Sequence, residues 1–342
     1  MFNQDEVDSI DQYLWRHERD VLHQRVSNLC ANHNIGFCQN SLFRYLQNNK
    51  HTKIVFMWLF DLIGDHAHWT QVNELCQKLG KKVFVVTDNI VDFDPLPNIH
   101  FFYYYQFLGM TASYQDAVHA PTEPSKLYNC FIQRVCSVRQ SWFYFLYHYE
   151  LLDSGYVSLL MKQLASYSTK TGVDLFDYIH YHYKLNELPH FDRAYHEMRH
   201  QVPYRNFEET GNLLPLIQDS KYSLVLETYS TEDDVGRFCV GEKALRALQF
   251  PNVCLLFLQK NFLSRLEQLG LKFDVKISKL DNLPWQQRQL ALLDILVQDS
   301  VDFDADNLYN QCQHNRALLQ GWKAEYQRSD FFDTLFYKVV SD

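Results

Sequence analysis

The sequence has few residues that break regular structure and no concentrated charge of one sign. Its 342 residues include 11 Gly and 9 Pro, with no Gly/Ser-rich linker, low-complexity tract or fixed-period repeat. No Walker loop, G-x-G-x-x-G or G-x-S-x-G motif occurs, which removes the commonest ATPase, dehydrogenase and hydrolase interpretations. A net charge of −9 without a block of Lys or Arg disfavours general binding of duplex nucleic acid, which is held mainly through its phosphates.

Cysteine pairs and long apolar runs are also missing. None of the 8 Cys forms a C-x-x-C, and most stand in apolar runs, where Cys behaves as a small hydrophobic residue. The longest apolar run, 54–63, contains Asp61 and is too short to span a bilayer. The first residues are acidic and lack an apolar signal core. We expect a reducing, cytoplasmic location without a membrane span.

Short apolar runs that alternate with helical patterns predict an α/β fold. Residues 1–50 have helical periodicity. Continuous apolar runs, typical of buried parallel strands, follow at 53–59, 82–86, 99–105, 127–132, 156–160, 222–226 and 253–257. Further helical patterns occur at 67–79, 138–152, 241–249, 261–269 and 285–298. Strand, helix and strand at this spacing predict parallel sheets flanked by helices.

The length predicts two domains, because one hydrophobic core rarely serves so many residues. The segment 116–124, which contains two prolines, is the best boundary candidate. We therefore predict an N-terminal α/β domain at 1–120 and a C-terminal α/β domain with terminal helices at 121–342. Two Rossmann-like domains facing a cleft fit this pattern.

Charged residues with a clear chemical use lie within 222–270. Glu227 directly follows a predicted buried strand, at the carboxyl end where ligands gather in open α/β sheets. Glu242 and Lys243 begin a predicted helix, where backbone N–H groups and the helix dipole favour an anion. There Lys243 would add a point charge for a diphosphate, and Glu242 would accept hydrogen bonds from ribose hydroxyls. The competing interpretation is that both are solvated charges of a first helical turn.

The order of these motifs resembles the donor half of the α1,3-fucosyltransferases, and of related phage, viral and bacterial glycosyltransferases of the GT-B type. The similar features are a strand followed by Glu227 and Thr228, an acidic loop, the Glu242-Lys243 helix, an apolar strand and a Leu-x-x-Leu-Gly at 266–270. The resemblance implies that Lys243 grips the donor diphosphate, that Glu242 holds the ribose, and that Glu227 lies under the donor sugar.

The chain departs from the family pattern at two positions beside these motifs. Gly241 stands where the family has Thr before its Glu-Lys pair, and Leu271 stands where it has Phe after Leu-Gly. Both departures leave the charged pair intact.

A second stretch, 126–139, resembles the start of the same donor domain, where a strand leads into a loop with one or two Arg before a helix. The resemblance implies that one Arg reaches the diphosphate, whose oxygens suit the planar fork of a guanidinium. Arg134 and Arg139 are both candidates, with a slight preference for Arg139 at the helix start. The alternative for each is a surface charge. Tyr229 would flank the base or the sugar.

A transferase that inverts its sugar needs a general base on the acceptor side of the cleft. Asp65 and His66 follow the first predicted strand, with Asp61 behind them, and Asp65 is our candidate for this base. The competing role of Asp65 is to cap the next helix, which is the more frequent use of such a residue.

Three groups of potential metal ligands fall short of a site. The three Asp of 302–306 precede a predicted helix and lack the Gly and Glu of a calcium loop, so capping and solvation explain them. Asp92 and Asp94 lie in a Pro-bearing turn. The His residues of 180–200 lack the carboxylate or Cys spacing that completes a zinc site. We expect no metal and no cofactor, with a nucleotide sugar as co-substrate.

We therefore predict a glycosyltransferase that moves a sugar from a nucleotide-diphosphate donor to an acceptor hydroxyl, with 1–120 on the acceptor side and 121–342 binding the donor. Its partners would be the nucleotide-sugar donor and a carbohydrate or other hydroxyl acceptor. The alternatives are a phage-type DNA-modifying glycosyltransferase, which needs a local basic cleft, and a non-catalytic Rossmann-like binding module. The sugar, the nucleotide and the acceptor stay open.

Overall fold

The structure, a computed structural model, describes residues 24, 26–38, 41–58, 65–87, 89–103, 123–132, 137–159, 204–205, 213–227, 237–239, 241–326 and 334. The chain divides into two compact units. Unit 1 comprises Met1–Asp116, Asp234–Leu245 and Arg316–Asp342, and unit 2 comprises Ala117–Asp233 and Arg246–Asn315. Each unit contains a parallel sheet with helices, so the predicted α/β class is confirmed. The predicted domain boundary at 120/121 lies outside the described residues.

Unit 1 is built on a parallel sheet. Its first strands are β1 (Gly36–Cys38), β2 (Ile54–Trp58), β3 (Lys82–Thr87), β4 (Asn89–Val91) and β5 (Ile99–Tyr103). The sheet has the order β1-β2-β3-β5, and every neighbouring pair is parallel. Helix α1 (Leu42–Asn48) lies between β1 and β2 in the sequence, and α2 (His66–Leu79) lies between β2 and β3.

The two faces of this sheet pack against different helices, because successive side chains of a strand point to opposite faces. Val55, Met57, Val83 and Val85 form one core with buried residues of α1 and α2. Phe56, Phe84 and Val86 form a second core with Val26 and Cys30 of the helical segment 26–32. The sheet is therefore covered on both faces, as its continuous apolar strands predict.

Unit 2 is built on a second, larger sheet. Its elements are β6 (Lys126–Ile132), α3 (Ser137–His148), a 3₁₀ turn (Leu152–Ser154), β7 (Gly155–Leu159), β8 (Tyr204–Arg205), α4 (Leu214–Gln218), β9 (Ser220–Leu226), β11 (Val253–Phe257), α6 (Phe262–Gln268), α7 (Val275–Ser278) and α8 (Trp285–Gln298). The strand order is β11-β9-β6-β7-β8. The first four strands are parallel, and β8 is antiparallel to β7.

Three further elements belong wholly or partly to the second and third segments of unit 1. Strand β10 (Arg237–Cys239) pairs antiparallel with β4 in a separate two-stranded sheet. Helix α5 (Glu242–Ala247) begins in unit 1 and ends in unit 2. The long C-terminal helix α9 (Ala305–Tyr326) begins in unit 2 and continues into the last segment of unit 1.

Cysteine serves these cores as a small hydrophobic residue, as the sequence predicts. Six cysteines in the described part of the chain are free and buried: Cys30, Cys38, Cys76, Cys130, Cys254 and Cys312. Burial raises the pKa of the Cys30 and Cys254 thiols to about 12, so both stay protonated at neutral pH.

The predicted elements agree with the structure except at short strands. The apolar run at 253–257 matches β11, and the helical pattern at 285–298 matches α8. The prediction that 1–50 is helical throughout is wrong at β1, whose three residues add an edge strand to the sheet of unit 1. Within the described part of the chain, no helix is long and apolar enough to cross a membrane.

Candidate functional site

The strand order of unit 2 reverses direction at one point. The chain passes from β6 through α3 to β7 on one side, whereas β9 and β11 lie on the other side of β6. In open α/β sheets, ligands bind outside the carboxyl ends of the strands at such a topological switch point. The expected position in unit 2 is therefore beside the ends of β6 and β9.

The ladder between these two strands ends before the strands do. The pairing of β6 with β9 runs from Lys126 opposite Ser220 to Asn129 opposite Ser223. Beyond it, β6 continues in register with β7 as far as Ile132, and β9 continues with β11 as far as Leu226. The ladder between β6 and β9 thus ends three residues before the last residue of either strand, and we call this stretch the gap between β6 and β9.

Arg139 lies at this gap. It is in the first turn of α3 and is 3% exposed, and its Nε donates a hydrogen bond of 3.0 Å to the Leu226 carbonyl oxygen. The next residue, Glu227, directs its backbone N–H to Phe257 of β11 at 3.2 Å. Because successive residues of a strand direct their backbone groups to opposite sides, the Leu226 carbonyl faces β6. On the side of β6, the Leu226 carbonyl therefore accepts its hydrogen bond from the Arg139 guanidinium.

The electrostatics and packing of α3 agree with this position of the guanidinium. Burial raises the pKa of the Cys130 thiol on β6 to about 12, and the positive charge of Arg139 opposes that rise. One helical turn further along, the Trp142 ring contacts the Phe257 ring at the end of β11, with centroids 5.8 Å apart. Side chains from the first two turns of α3 thus reach the carboxyl ends of both β9 and β11.

Asn129 lines the same gap and was missed as a site residue by the sequence analysis. Its side-chain amide donates to the Tyr222 carbonyl oxygen at 3.2 Å and to Ser223 Oγ at 3.1 Å. Asn129 and Ser223 are both buried. An Asn inside a buried apolar strand is the one signal in the sequence that could have identified it, because a buried amide requires partners.

Glu227 directly follows the last residue of β9 in the sequence. Its carboxylate side chain is half-buried. The structure thus brings two of the predicted donor-site residues, Arg139 and Glu227, to the carboxyl end of one strand, since Arg139 bonds the carbonyl that directly precedes Glu227. A buried cation is thus bonded to the backbone of the residue that precedes a half-buried carboxylate.

The neighbouring carboxyl end, that of β11, is filled by the chain itself. The buried carboxylate of Asp281 accepts hydrogen bonds from the backbone N–H groups of Leu263 and Ser264, both at 2.9 Å, at the start of α6. Buried Arg288 donates to the carbonyl oxygens of Leu258 and Leu283. These groups satisfy the helix terminus and the strand end, so the gap between β6 and β9 is the better ligand position.

Glu242 and Lys243 begin α5, as predicted, and Lys243 is half-buried. The first turn of α5 belongs to unit 1, together with β10, whereas Arg139 and Glu227 belong to unit 2. That Glu242 and Lys243 form one donor site with Arg139 and Glu227 stays a prediction. Two further candidates for the donor site, Arg134 and Tyr229, lie outside the described residues.

Asp65 caps a helix, which is the role that was weighed against its use as a general base. It is the N-cap of α2, and its Oδ1 accepts a hydrogen bond of 2.9 Å from the backbone N–H of His68. Its use as a general base stays a prediction. The imidazole of His66, the first residue of α2, packs against the Phe93 ring at 5.4 Å between centroids. Asp61 lies outside the described residues.

The acidic groups weighed as metal ligands have simpler roles. Asp304 accepts a hydrogen bond of 3.1 Å from the backbone N–H of Asn307 and so caps the start of α9, as predicted. Asp92 and Asp94 are exposed. Among the described residues, no group of three or more His, Cys, Asp or Glu is placed to hold a metal ion. The His residues of 180–200 lie outside the described ranges.

Comparison of the chain with protein-family models, with curated proteins and with solved structures finds no match. The resemblance to the α1,3-fucosyltransferases therefore depends on the short motifs of the sequence alone.

Proposed function

We propose that the chain is a glycosyltransferase whose unit 2 binds the diphosphate of a nucleotide-sugar donor at the gap between β6 and β9. The observation that supports this proposal best is the position of Arg139, a buried cation held at the topological switch point by the Leu226 carbonyl. The switch point of a parallel sheet is the general ligand position of such folds.

The position suits an anion in two ways. Arg139 lies in the first turn of α3, where the unpaired N–H groups and the dipole of the helix already favour negative charge. Its Nε donates to the Leu226 carbonyl oxygen, which orients the guanidinium, and the planar fork of a guanidinium suits phosphate oxygens. A helix terminus and a fixed guanidinium at one point are the recognition elements of a diphosphate.

In the proposed reaction, the bond from the anomeric carbon to the diphosphate breaks, and the diphosphate leaves with the electron pair. The acceptor hydroxyl supplies the new oxygen, and its proton passes to a base. Arg139 and Lys243 would stabilise the charge that develops on the diphosphate. Glu227 would orient the donor sugar, Glu242 would hold the ribose, and Asp65 would be the base. No step in this scheme requires a metal ion.

The binding part of the proposal is tested with UDP, GDP, CMP, ADP and dTDP in a thermal-shift assay. One of the four diphosphates should stabilise the wild-type chain, by about 2.7 kcal/mol at a concentration a hundredfold above its dissociation constant. Arg139→Lys keeps a donor near Leu226 but loses the planar fork, so the affinity should fall about 10- to 100-fold.

Arg265→Ala is the matched control, because Arg265 lies in the same unit, on α6, where its guanidinium donates to Gln268 at 3.0 Å in an exposed contact. This variant should bind the nucleotide as the wild type does. If no nucleoside diphosphate stabilises the chain, or if the two Arg variants lose the same affinity, the donor site is not at Arg139.

Catalysis is tested separately by release of the nucleoside diphosphate from its matching nucleotide sugars. Glu227→Gln preserves the size of the side chain and the backbone bond to Phe257, and it should lower turnover more than nucleotide affinity. Nucleotide binding without release from any nucleotide sugar would instead identify a non-catalytic binding module.

A further inference from the structure

The pairing of β6 with β9 differs from the neighbouring pairings of the unit 2 sheet in where it ends. The pairing of β6 with β7 and that of β9 with β11 continue to the last residue of both strands. The pairing of β6 with β9 ends at Asn129 opposite Ser223, although the two strands continue to Ile132 and Leu226. Both strands stay extended beyond this point, so the early end has a local cause between β6 and β9.

The two side chains at the last paired position are polar and are bonded to each other. Nδ2 of Asn129 donates to Ser223 Oγ at 3.1 Å and to the Tyr222 carbonyl oxygen of β9 at 3.2 Å. Asn129 and Ser223 are both buried. Asn is depleted in strands, and a buried amide requires partners, so an Asn at this position has a physical reason beyond packing.

The bond from the Asn129 amide to β9 is not a bond of the regular ladder. A side-chain amide that donates to a backbone carbonyl offers the backbone an alternative to the hydrogen bonds of the sheet. This bond is made where the regular pairing stops, at the residue before Ser223. A side chain of β6 therefore helps to hold the two strands together at the end of their ladder.

A second side-chain donor bonds β9 further along the same side. The carbonyl groups of Tyr222 and Leu226 face β6, because backbone groups alternate in direction along a strand and these residues are separated by an even number of positions. The donor at Leu226 is Nε of Arg139 on α3, at 3.0 Å. The amide of Asn129 and the guanidinium of Arg139 thus follow one another along the β6-facing side of β9.

We propose that Asn129, bonded to Ser223, is a positioning residue for the Arg139 guanidinium. It ends the ladder between β6 and β9 and so leaves the Leu226 carbonyl to Arg139. An apolar residue at this position would let regular pairing continue toward Ile132, and backbone N–H groups would then compete with Arg139 for β9. The positioning of Arg139 stands on these hydrogen bonds alone, whereas its consequence for nucleotide binding rests on the proposed function.

The test observes the Arg139 Nε–H directly, in the full chain labelled with ¹⁵N at arginine and without nucleotide. The signal is assigned by its loss in Arg139→Lys, and its rate of exchange with solvent is measured. Asn129→Val removes the amide and favours a regular strand. Exchange of the Arg139 Nε–H should become about 10-fold faster in this variant, because the guanidinium loses its bond to the Leu226 carbonyl.

Asn252→Val is the matched control. Asn252 is also a buried Asn of unit 2, and its amide donates to two backbone carbonyl groups, those of Ile217 and Ser220. It directly precedes β11, at the amino end of the sheet and away from the gap. Asn252→Val should lower stability in urea as Asn129→Val does, but it should leave the exchange of the Arg139 Nε–H unchanged. A merely structural role of Asn129 would make the two variants behave alike.

Ser223→Ala is a milder second variant, which decides the question if Asn129→Val does not fold. It deletes one partner of the amide and preserves the bond to the Tyr222 carbonyl. Exchange of the Arg139 Nε–H should therefore accelerate by a smaller factor, about 3-fold.

An unchanged Arg139 signal in both Asn129→Val and Ser223→Ala would overturn the positioning role, and so would equal acceleration in Asn129→Val and Asn252→Val. Nucleotide affinity is measured afterwards and should fall in Asn129→Val about as it does in Arg139→Lys. If the Arg139 signal responds as expected but no nucleoside diphosphate binds the wild type, the positioning role holds and the proposed donor site fails. If a nucleotide binds at Arg139 and the signal does not respond, the donor site holds and the positioning role fails.

Discussion

The two units contain parallel sheets of similar sequence character but different topology. In unit 1 the parallel strands occur in the order β1-β2-β3-β5, so the described connections all advance in one direction across the sheet. In unit 2 the order β11-β9-β6-β7-β8 reverses at β6. Where the strand order reverses, the connections that follow two neighbouring strands lead away from each other. A crevice is then left between the ends of these strands. The difference shows why charged ligand-binding groups are expected at strand ends in unit 2.

Both units also bury a cation against backbone carbonyl groups, but at opposite ends of their sheets. In unit 1, the Lys81 ammonium is bonded to the carbonyl oxygens of Asn49 and Thr52, next to the amino ends of β2 and β3. In unit 2, Arg139 bonds the Leu226 carbonyl at the carboxyl end of β9. The amino end of such a sheet is a structural position, and the carboxyl end is the position for ligands. The two cations should therefore respond differently to substitution.

Lys81→Met should produce the largest loss of stability. The residue is 2% exposed, and burial lowers the pKa of its ammonium. Methionine preserves the volume but leaves two carbonyl groups without their donor, at a cost of about 2–4 kcal/mol in the free energy of unfolding. Urea denaturation measures the loss. Lys78→Met, at an exposed position in the last turn of α2, is the control and should change stability by less than about 0.5 kcal/mol.

The same Lys81 variant sharpens the contrast with Arg139. Its nucleotide-induced thermal shift should equal that of the wild type, because Lys81 has no part in the donor site. A fall in nucleotide affinity comparable with that of Arg139→Lys would show that the two cations act alike, and the functional distinction between the sheet ends would be lost.

The first residues of β1 and β7 give a second, smaller contrast. A Cβ at Gly155 of β7 would lie 2.5 Å from the Tyr128 ring, which is fully buried and held by a 3.2 Å hydrogen bond to the Leu151 carbonyl oxygen. A Cβ at Gly36 of β1 would lie 2.6 Å from the Tyr45 hydroxyl, at the end of a partly exposed side chain. The ring in unit 2 cannot move aside, whereas the side chain in unit 1 can.

Gly155→Ala should therefore destabilise the chain by about 2–3 kcal/mol, and Gly36→Ala by about 1 kcal/mol. Thermal or urea denaturation of the two variants measures the difference directly. Equal losses would mean that the packing around β1 is as rigid as that around β7.

Long elements could be predicted from the sequence because their signals are local. The apolar run at 82–86 and the helical pattern at 67–79 lie within a residue or so of β3 and α2. The three-residue strands β1, β4 and β10 could not be predicted, because they are too short to show a period. The pairing of β4 with β10 also depends on residues far apart in the sequence.

The candidate site was predictable only in part, for a related reason. Glu227 was identified because it follows a predicted strand, which is a local feature. Arg139 was one of two Arg candidates implied by the resemblance, with a slight preference for it at the helix start. The gap between β6 and β9 depends on where their pairing stops, at Asn129 opposite Ser223. Register is a property of two strands together, and neither strand alone encodes it. Asn129 therefore stood in the sequence as an unexplained polar residue in an apolar run.

The smallest expected effect concerns the amino end of the unit 2 sheet and is a pH dependence. Asp219 accepts hydrogen bonds from the Ser125 backbone N–H at 2.9 Å and from the Tyr156 hydroxyl at 2.7 Å. Burial alone would raise the pKa of Asp219, but these hydrogen bonds and the charge of Lys126 lower it below the ordinary value of 3.8. A carboxyl group with a lowered pKa in the folded state adds stability above its unfolded pKa and loses it as the pH falls through the folded pKa.

The contribution of Asp219 should therefore be constant at neutral pH and should disappear as the pH falls below about 4. Because Asp219 is only partly buried, water and salt reduce the effect, which should be smaller than either glycine substitution. Urea midpoints of wild type and Asp219→Asn, measured from neutral pH down to the acid limit, should differ at neutral pH and converge in acid. Tyr156→Phe removes one hydrogen-bond donor. Its urea midpoint should differ less from that of the wild type at neutral pH and should also converge with it in acid. If the Asp219→Asn difference persisted unchanged into acid, the amino end of this sheet would be held by packing alone, and the contrast between a structural end and a ligand-binding end would rest on Arg139.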